Sequence, residues 1–420
     1  MRTMTAVIVC ALTMSAGAAD TWPDYRGPLQ NGHADGARVA RTWSEAQNVT
    51  WKTAIDGKGW SSPIVAGGLI WMTTAIEEPD GAQSLYAVSV DLATGKNIRK
   101  ILIERVAQPQ PIHRFNSYAS PSPIIDPADP ARVYVHFGTF ATACIDADDG
   151  RVLWKRNDLH IDHMVGPGSS PVLYGDLLIL QYDGVDHDFM TAMDRATGRT
   201  VWQVDRSMDF SHVRVDQRKA FGTPIFVEVD GKTQLIIQAA QALYGYDPRN
   251  GAELWRFDFD GYSNVPRLVL GDGLVYLSTG YDNADMVAIK LGGRGNITKT
   301  HEAWRLPRRQ VPRRASPILV DGALYMVSDG GVMQCLDAQT GEVHWRERLG
   351  GNYTACPIYA GGRLYFFNEA GDCAVIEPGV DGLHVEHTNT LESGFMASPA
   401  VVGDTLILRT KTHLYRIDAP

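Results

Sequence analysis

The side chains best able to do chemistry in this chain are cations, imidazoles and amides gathered in short segments. His113, Arg114, Asn116 and Tyr118 form one; His160 and His163 a second; His212, Arg214, Arg218 and Lys219 a third. Arg267 stands apart, Arg308, Arg309, Arg313 and Arg314 make a run, and Asn352 and Tyr353 close the series. Guanidinium groups bind carboxylates and phosphates through paired hydrogen bonds, so these segments brought together would suit an anionic small molecule or polymer. Singly, each arginine reads better as an ordinary solvated loop charge; only the segments taken together weigh evenly. A second set is acidic: Glu77, Glu78, Asp80, Asp183, Asp186, Asp188, Asp282 and Asp285. The run Asp183-Gly184-Val185-Asp186-His187-Asp188 carries oxygen ligands for calcium, yet not at EF-hand spacing, and a polar loop is the competing reading. His160, Asp162 and His163 have the chemistry of metal ligands or of an acid–base pair, but spacing fixes no third partner. No nucleophile elbow, Walker loop or dinucleotide fingerprint occurs, and Gly292-Gly293-Arg294-Gly295 reads as a turn with no following helix.

The elements that must position these residues are short and repeated. Asp337-Ala338-Gln339-Thr340-Gly341, with Trp345 four residues on, recurs as Asp91 to Gly95, Asp146 to Gly150 with Trp154, Asp194 to Gly198 with Trp202, and Asp247 to Gly251 with Trp255. Each copy lies between two apolar runs. Asp accepts hydrogen bonds from a turn backbone and Gly supplies a positive φ, so each is a hairpin; the Trp on the outgoing strand is placed to fill a gap against a neighbouring unit. A period of roughly 40 to 60 residues means a repeat architecture.

A second marker, a small residue followed by Pro and an apolar strand, begins each unit: Ser62-Pro63, Ser122-Pro123, Ser170-Pro171, Thr223-Pro224, Val265-Pro266, Ser316-Pro317, Cys356-Pro357 and Ser398-Pro399. Eight units of four antiparallel strands describe an all-β, eight-bladed β-propeller. The last unit ends at its third strand, His413 to Asp418, and Val49-Thr50-Trp51-Lys52-Thr53 is free to supply the fourth, which would close the ring. Three blades deviate: Ile98 stands where Trp is expected, Leu291 to Gly295 replaces the fifth turn and delays Trp304, and Pro378 to Gly382 replaces the seventh. These read as tolerated loop drift.

Composition agrees with many short strands: 41 Gly, 22 Pro and a 44% hydrophobic share over 420 residues. A formal charge of −9 argues against a dedicated nucleic-acid binder. Residues 1–19 read as a secretory signal, with Arg2, an apolar Ala6-to-Leu12 core and small residues before Asp20; the apolar run is too short to span a bilayer. Cys10 follows Val9 and makes a poor lipid acceptor. The expected mature protein is residues 20–420, one exported domain, soluble and monomeric. Cys144, Cys335, Cys356 and Cys373 are expected as buried small hydrophobes rather than a disulfide framework.

The Asp-x-x-Thr-Gly-x-x-x-Trp repeats resemble those of pyrroloquinoline-quinone (PQQ)-like propellers, a superfamily that includes quinoprotein alcohol dehydrogenases and the assembly lipoprotein BamB. Trp22-Pro23-Asp24-Tyr25-Arg26-Gly27-Pro28, Asn116-Ser117-Tyr118-Ala119-Ser120-Pro121 and Leu349-Gly350-Gly351-Asn352-Tyr353 are similar to segments of exported PQQ-like repeat proteins. The resemblance covers nearly all of the expected mature chain. It departs in two ways: quinoprotein dehydrogenases are longer and typically carry a vicinal disulfide, and BamB-type proteins are lipidated.

In a four-stranded blade, the loops between blades and those joining strands two and three share one face, and irregular loops on rigid scaffolds are where sites concentrate. The expectation is therefore a positive funnel at the axis inside an acidic collar. Function is expected to be non-catalytic binding or scaffolding, the partner being an envelope protein or an anionic ligand, with no cofactor. Two alternatives stand: a quinoprotein oxidoreductase holding PQQ with calcium, its arginines on the quinone carboxylates and an Asp as base; and a carbohydrate-binding or carbohydrate-active protein using Trp60, Tyr118, Tyr262 and Tyr353.

Overall fold

A computed structural model of the chain describes residues 20–126, 128–308 and 310–420. The expected signal segment, Cys10 and Arg309 lie outside them. Eight antiparallel sheets, each built on four strands, form the ring. In blade 1 the strands are Ile64–Ala66, Leu69–Glu77, Gln83–Asp91 and Asn97–Val106. Closure is as the sequence predicts: Val49–Ala54 pairs antiparallel with His413–Asp418, placing Lys52 opposite Tyr415. Arg409 fastens the same junction from within, its buried guanidinium donating to Ser61 O at 2.7 Å and Thr73 O at 3.0 Å. Alternating side chains leave both faces of each middle strand, so the core is divided among the blade interfaces. Tyr276, Met286 and Ala288 of blade 5, for example, pack on Leu324, Met326 and Leu336 of blade 6.

The repeated turn explains itself at these interfaces. Asp337 Oδ1 accepts from the Thr340 N–H at 2.8 Å, which holds the turn, and Gly341 adopts φ +73°. The indole of Trp304, from the preceding blade, lies on that glycine and donates to Ala338 O at 2.9 Å. A Cβ on Gly341 would stand 2.6 Å from the ring. Trp51 on Gly95, Trp154 on Gly198 and Trp202 on Gly251 repeat the contact. So at these four junctions Trp and Gly recur together because one blade's Trp docks on the next blade's turn.

The deviating blades correct the sequence reading. Arg99, not Ile98, takes the place of Trp in blade 1: it lies on Gly150 and donates to Asp148 O, while Ile98 is exposed. The segment replacing the fifth turn is no idle drift. Gly295–Asn296 adds a parallel fifth strand to Trp255–Arg256 of blade 4, and a short helix, Thr298–His301, does follow the glycine run. Lacking a turn to dock on, Trp255 folds into its own sheet, over Gly245 and against Gln234 Oε1 at 2.8 Å. In blade 7 the substitute turn still offers a carbonyl, Gly379 O, to Trp345 at 3.0 Å. The fifth repeat also begins elsewhere. Its innermost strand is Val269–Gly271, so Arg267-Leu268, and not Val265-Pro266, matches the other small-residue–Pro pairs.

The segment ahead of the closing strand occupies the axis. Trp22 bridges to Val65 of blade 1, Pro23 O accepts from Ile125 of blade 2, and Asp24 reaches Arg267 of blade 5. Arg26 donates to Pro317 O of blade 6, and His33–Ala34 pairs parallel to Tyr359–Ala360 of blade 7. The chain then leaves past the turns of blades 7 and 8, with Ala37 against Gly361 and Arg38 N–H on Asp404.

Candidate functional site

The residue that starts each innermost strand forms a belt around the axis. The backbone N–H of Ser62 donates to Ser122 Oγ at 2.9 Å, Ser122 to Ser170 at 2.9 Å and Ser170 to Thr223 at 3.0 Å. Across the ring Arg267 donates to Ser316 at 2.8 Å, Ser316 to Cys356 Sγ at 3.3 Å, Cys356 to Ser398 at 3.0 Å and Ser398 to Ser62 at 3.0 Å. A short side chain with a lone pair is what this position needs, and Arg267 has none to offer. Its guanidinium instead turns inward, to Asp24 at 2.6 Å and Pro224 O at 3.0 Å, beneath the ring of Tyr25.

Above the belt, the loops between blades flare into a funnel of about 440 Å³ whose floor is Tyr25. Trp60, Phe115, Met164, Phe221, Tyr262 and Met396 give it a largely apolar wall. Of the sequence-predicted residues, His113, Asn116, Arg313 and Arg314 reach it, with Lys219. Asn116 is spent on loop structure, donating to Val165 O at 2.9 Å and Pro167 O at 3.1 Å. Arg313 and Arg314 share Asp329 at 3.1 and 3.0 Å, and Arg314 also pairs with Glu369 at 3.0 Å. Burial holds the Lys219 ammonium below the usual lysine value; it lies over the Tyr262 ring and donates to Asp216 O.

The other candidates go elsewhere. Arg267 is fully enclosed below the floor. Arg218 donates twice to Val213 O, and Arg214 pairs with Asp216 at 2.8 Å. Arg114, His160, His212, Arg308 and Asn352 are exposed. Tyr118 turns into its own loop, bonding Gln110 O at 2.8 Å, and Tyr353 is buried. His163 is buried between Phe140 and Thr139, and burial pushes its imidazole down to about 4.

The expected charge pattern is corrected accordingly, because Arg313 and Arg314 at the mouth are paired and several of the expected collar aspartates are engaged within the fold. Asp183 is buried under a bidentate Arg206, at 3.1 and 3.2 Å, rather than standing in a collar. Asp80 pairs with Arg105 and Asp285 with Arg305. Asp186 accepts the Asp162 N–H, and Asp282 accepts the Tyr262 hydroxyl at 2.6 Å. Asp188, beside Asp183, has its carboxyl raised well above the carboxylate range by burial and by that neighbouring charge.

This lining does not fit PQQ with calcium. Among the described residues no three His, Cys, Asp or Glu side chains stand together as metal ligands, and Asp216 is the one acid of the funnel. Arg267 cannot meet a quinone carboxylate. The rim is more informative. Met164, Val215, Val265 and Tyr281, all on loops of this face, are each between 37% and 54% exposed. Sequence reasoning missed them, since lone apolar residues in variable loops carry no period. It also missed Tyr25 as the floor.

Known proteins place the architecture. BamB of Legionella pneumophila (strain Paris) is 25% identical over 209 residues, 48% of this chain and 49% of that protein, so the match spans about half of that relative. The structure resembles BamB from Moraxella catarrhalis (TM-score 0.60, 12% identity, 88% of this chain and 99% of the other). It also resembles the quinohemoprotein alcohol dehydrogenase of Comamonas testosteroni (TM-score 0.65, 9% identity, 96% and 82%) and a europium-containing methanol dehydrogenase (TM-score 0.62, 10% identity, 96% and 98%). At such identities these structures speak for the fold alone. The family model described as outer membrane protein assembly factor BamB matches residues 88–301 and 298–419, and the chain belongs to that family of PQQ-like β-propellers.

Proposed function

We propose that this protein is a non-catalytic scaffold of the cell envelope that holds a protein partner on its loop-rich face, in the assembly of outer membrane proteins. The observation that carries the reading is the exposed apolar row of Met164, Val215, Val265 and Tyr281, on the segments running from blade 2 to blade 5, beside a mouth whose arginines are already paired. Apolar and aromatic side chains exposed along one side of a concave centre favour a protein contact, where such groups anchor and paired charges set register. An anionic small ligand would meet arginines already engaged with Asp329 and Glu369. Family membership supports the envelope setting, and export through residues 1–19 belongs to the same proposal.

A photo-crosslinking residue placed at Met164 or Tyr281 is expected to capture an outer-membrane assembly component in cells, whereas one at Leu153, on an outer strand, captures none. Equal yields at the rim and at Leu153 would retire the proposal. Thermal unfolding with PQQ plus calcium separates the oxidoreductase reading: an unmoved midpoint is expected.

A further inference from the structure

The funnel wall is largely apolar, yet cations lie on its rings. Trp60 carries Lys58 at 5.3 Å, Phe115 carries Arg314 at 4.4 Å, Tyr262 carries Lys219 at 5.6 Å and Tyr281 carries Arg313 at 5.3 Å, each measured to the ring centroid. On the floor, Tyr25 carries Arg267 at 5.1 Å. Such stacking stabilises a cation without neutralising it. The three arginines have carboxylates as well: Asp24 for Arg267, Asp329 for Arg313, and Asp329 with Glu369 for Arg314. Among the described residues the two lysines form no ion pair. Each donates to a backbone carbonyl, Lys58 to Arg114 O at 3.1 Å and Lys219 to Asp216 O. Lys58 is exposed, whereas Lys219 is only 4% exposed and lines the funnel. Its place is fixed, because Lys219 O accepts the Ser263 N–H and Phe221 donates to Asn264 O, both at 2.8 Å. An ammonium has three N–H groups, and a buried one without a counter-charge is costly. Asp216, the one acid of the funnel, pairs instead with Arg214 at 2.8 Å.

We propose that the funnel binds an amphipathic monocarboxylate, its carboxylate on Lys219 and its apolar body against Trp60, Phe221 and Met396. A neutral apolar guest would cover the wall and leave the lysine unmatched. A small hydrophilic anion would match the lysine and leave the wall wet. Only a molecule with both parts satisfies the two together. The arginines of the mouth add no second anion site, since their charges are taken up by Asp329 and Glu369. Burial disfavours the Lys219 ammonium, and a carboxylate beside it reverses that effect. The inference lies beyond the scaffold reading: a bound acid needs no protein partner, and a partner on the loops needs no bound acid.

The test measures decanoate binding to the full chain by calorimetry and by thermal unfolding. Decanol supplies the same body without the charge, and acetate the charge without the body. Decanoate is expected to bind about tenfold or more tighter than decanol, as a charged hydrogen bond out of water warrants, and to raise the unfolding midpoint; acetate should do neither. Lys219→Met keeps an apolar side chain of similar length and removes the charge, so decanoate should fall to the decanol level. Lys232→Met, at an exposed position on blade 4, should leave it unchanged. Should Lys219→Met fail to fold, the comparison of decanoate with decanol on the unaltered chain still decides. Equal affinities for the two, no stabilisation by decanoate, or binding untouched by Lys219→Met overturns the proposal. Any of these results beside continued crosslinking at Met164 removes the acid and leaves the scaffold.

Discussion

Arg267 stands where seven other repeats place Ser, Thr or Cys, and its length turns a belt residue into an anchor for the axial segment. Arg267→Ser restores the belt side chain and strands Asp24. Breaking a buried pair by removing one partner costs about 3–5 kcal/mol, read as a lower thermal midpoint, and adding Asp24→Asn should return part of the loss. Strictly additive effects would argue against coupling. The sequence concealed this role because Val265-Pro266 imitates the small-residue–Pro marker two residues early. His163 gives a second test. It is neutral in the fold and ionises once unfolded, so its contribution is complete above the usual value of 6.5 and is lost as pH falls from there to about 4. His163→Gln should flatten the stability profile in that window. Asp188 has the opposite sign: its raised carboxyl contributes below the ordinary 3.8 and loses that contribution as pH rises through the raised value. Asp188→Asn should therefore flatten the stability profile between pH 3.8 and about 9. Neither burial was visible in the sequence, which shows a charge but not the strand register that turns it inward.

Trp–Gly docking is the unit that makes the blade pattern legible, because one contact between neighbouring elements fixes two residue types at a constant offset. Gly341→Ala and Gly322→Ala separate its two components. Both glycines adopt positive φ, +73° and +76°, but only Gly341 faces an indole, whereas Gly322 has open space around it. Gly322→Ala should cost about 1 kcal/mol of backbone strain; Gly341→Ala should cost a further 1–3 kcal/mol, roughly, for overpacking. Equal costs in chemical denaturation would show that the indole contact is dispensable. Where the offset fails, the reading fails as well: Arg99 was hidden because Arg is an unexpected stand-in for Trp, and the added strand Gly295–Asn296 because two residues carry no alternation.

For the molecule as a whole, blade number and closure could be read from the chain, since both follow from counting repeats and noting an unpaired strand at each end. The filled axis could not, because residues 22–34 have no periodicity and touch five blades. A chain lacking residues 20–54 loses both the axial segment and the fourth strand of blade 8. It should unfold at a lower temperature and associate through the bared His413–Asp418 edge, visible as larger species in light scattering. A monomer of unchanged midpoint would mean that closure contributes nothing. The route of that leading stretch also sets an order of events. Its seats on blades 5, 6 and 7, and its berth beside blade 8, do not exist until nearly all of the polypeptide has emerged. That stretch is without these partners until the strands that follow it have folded, so its docking joins floor and circumference together.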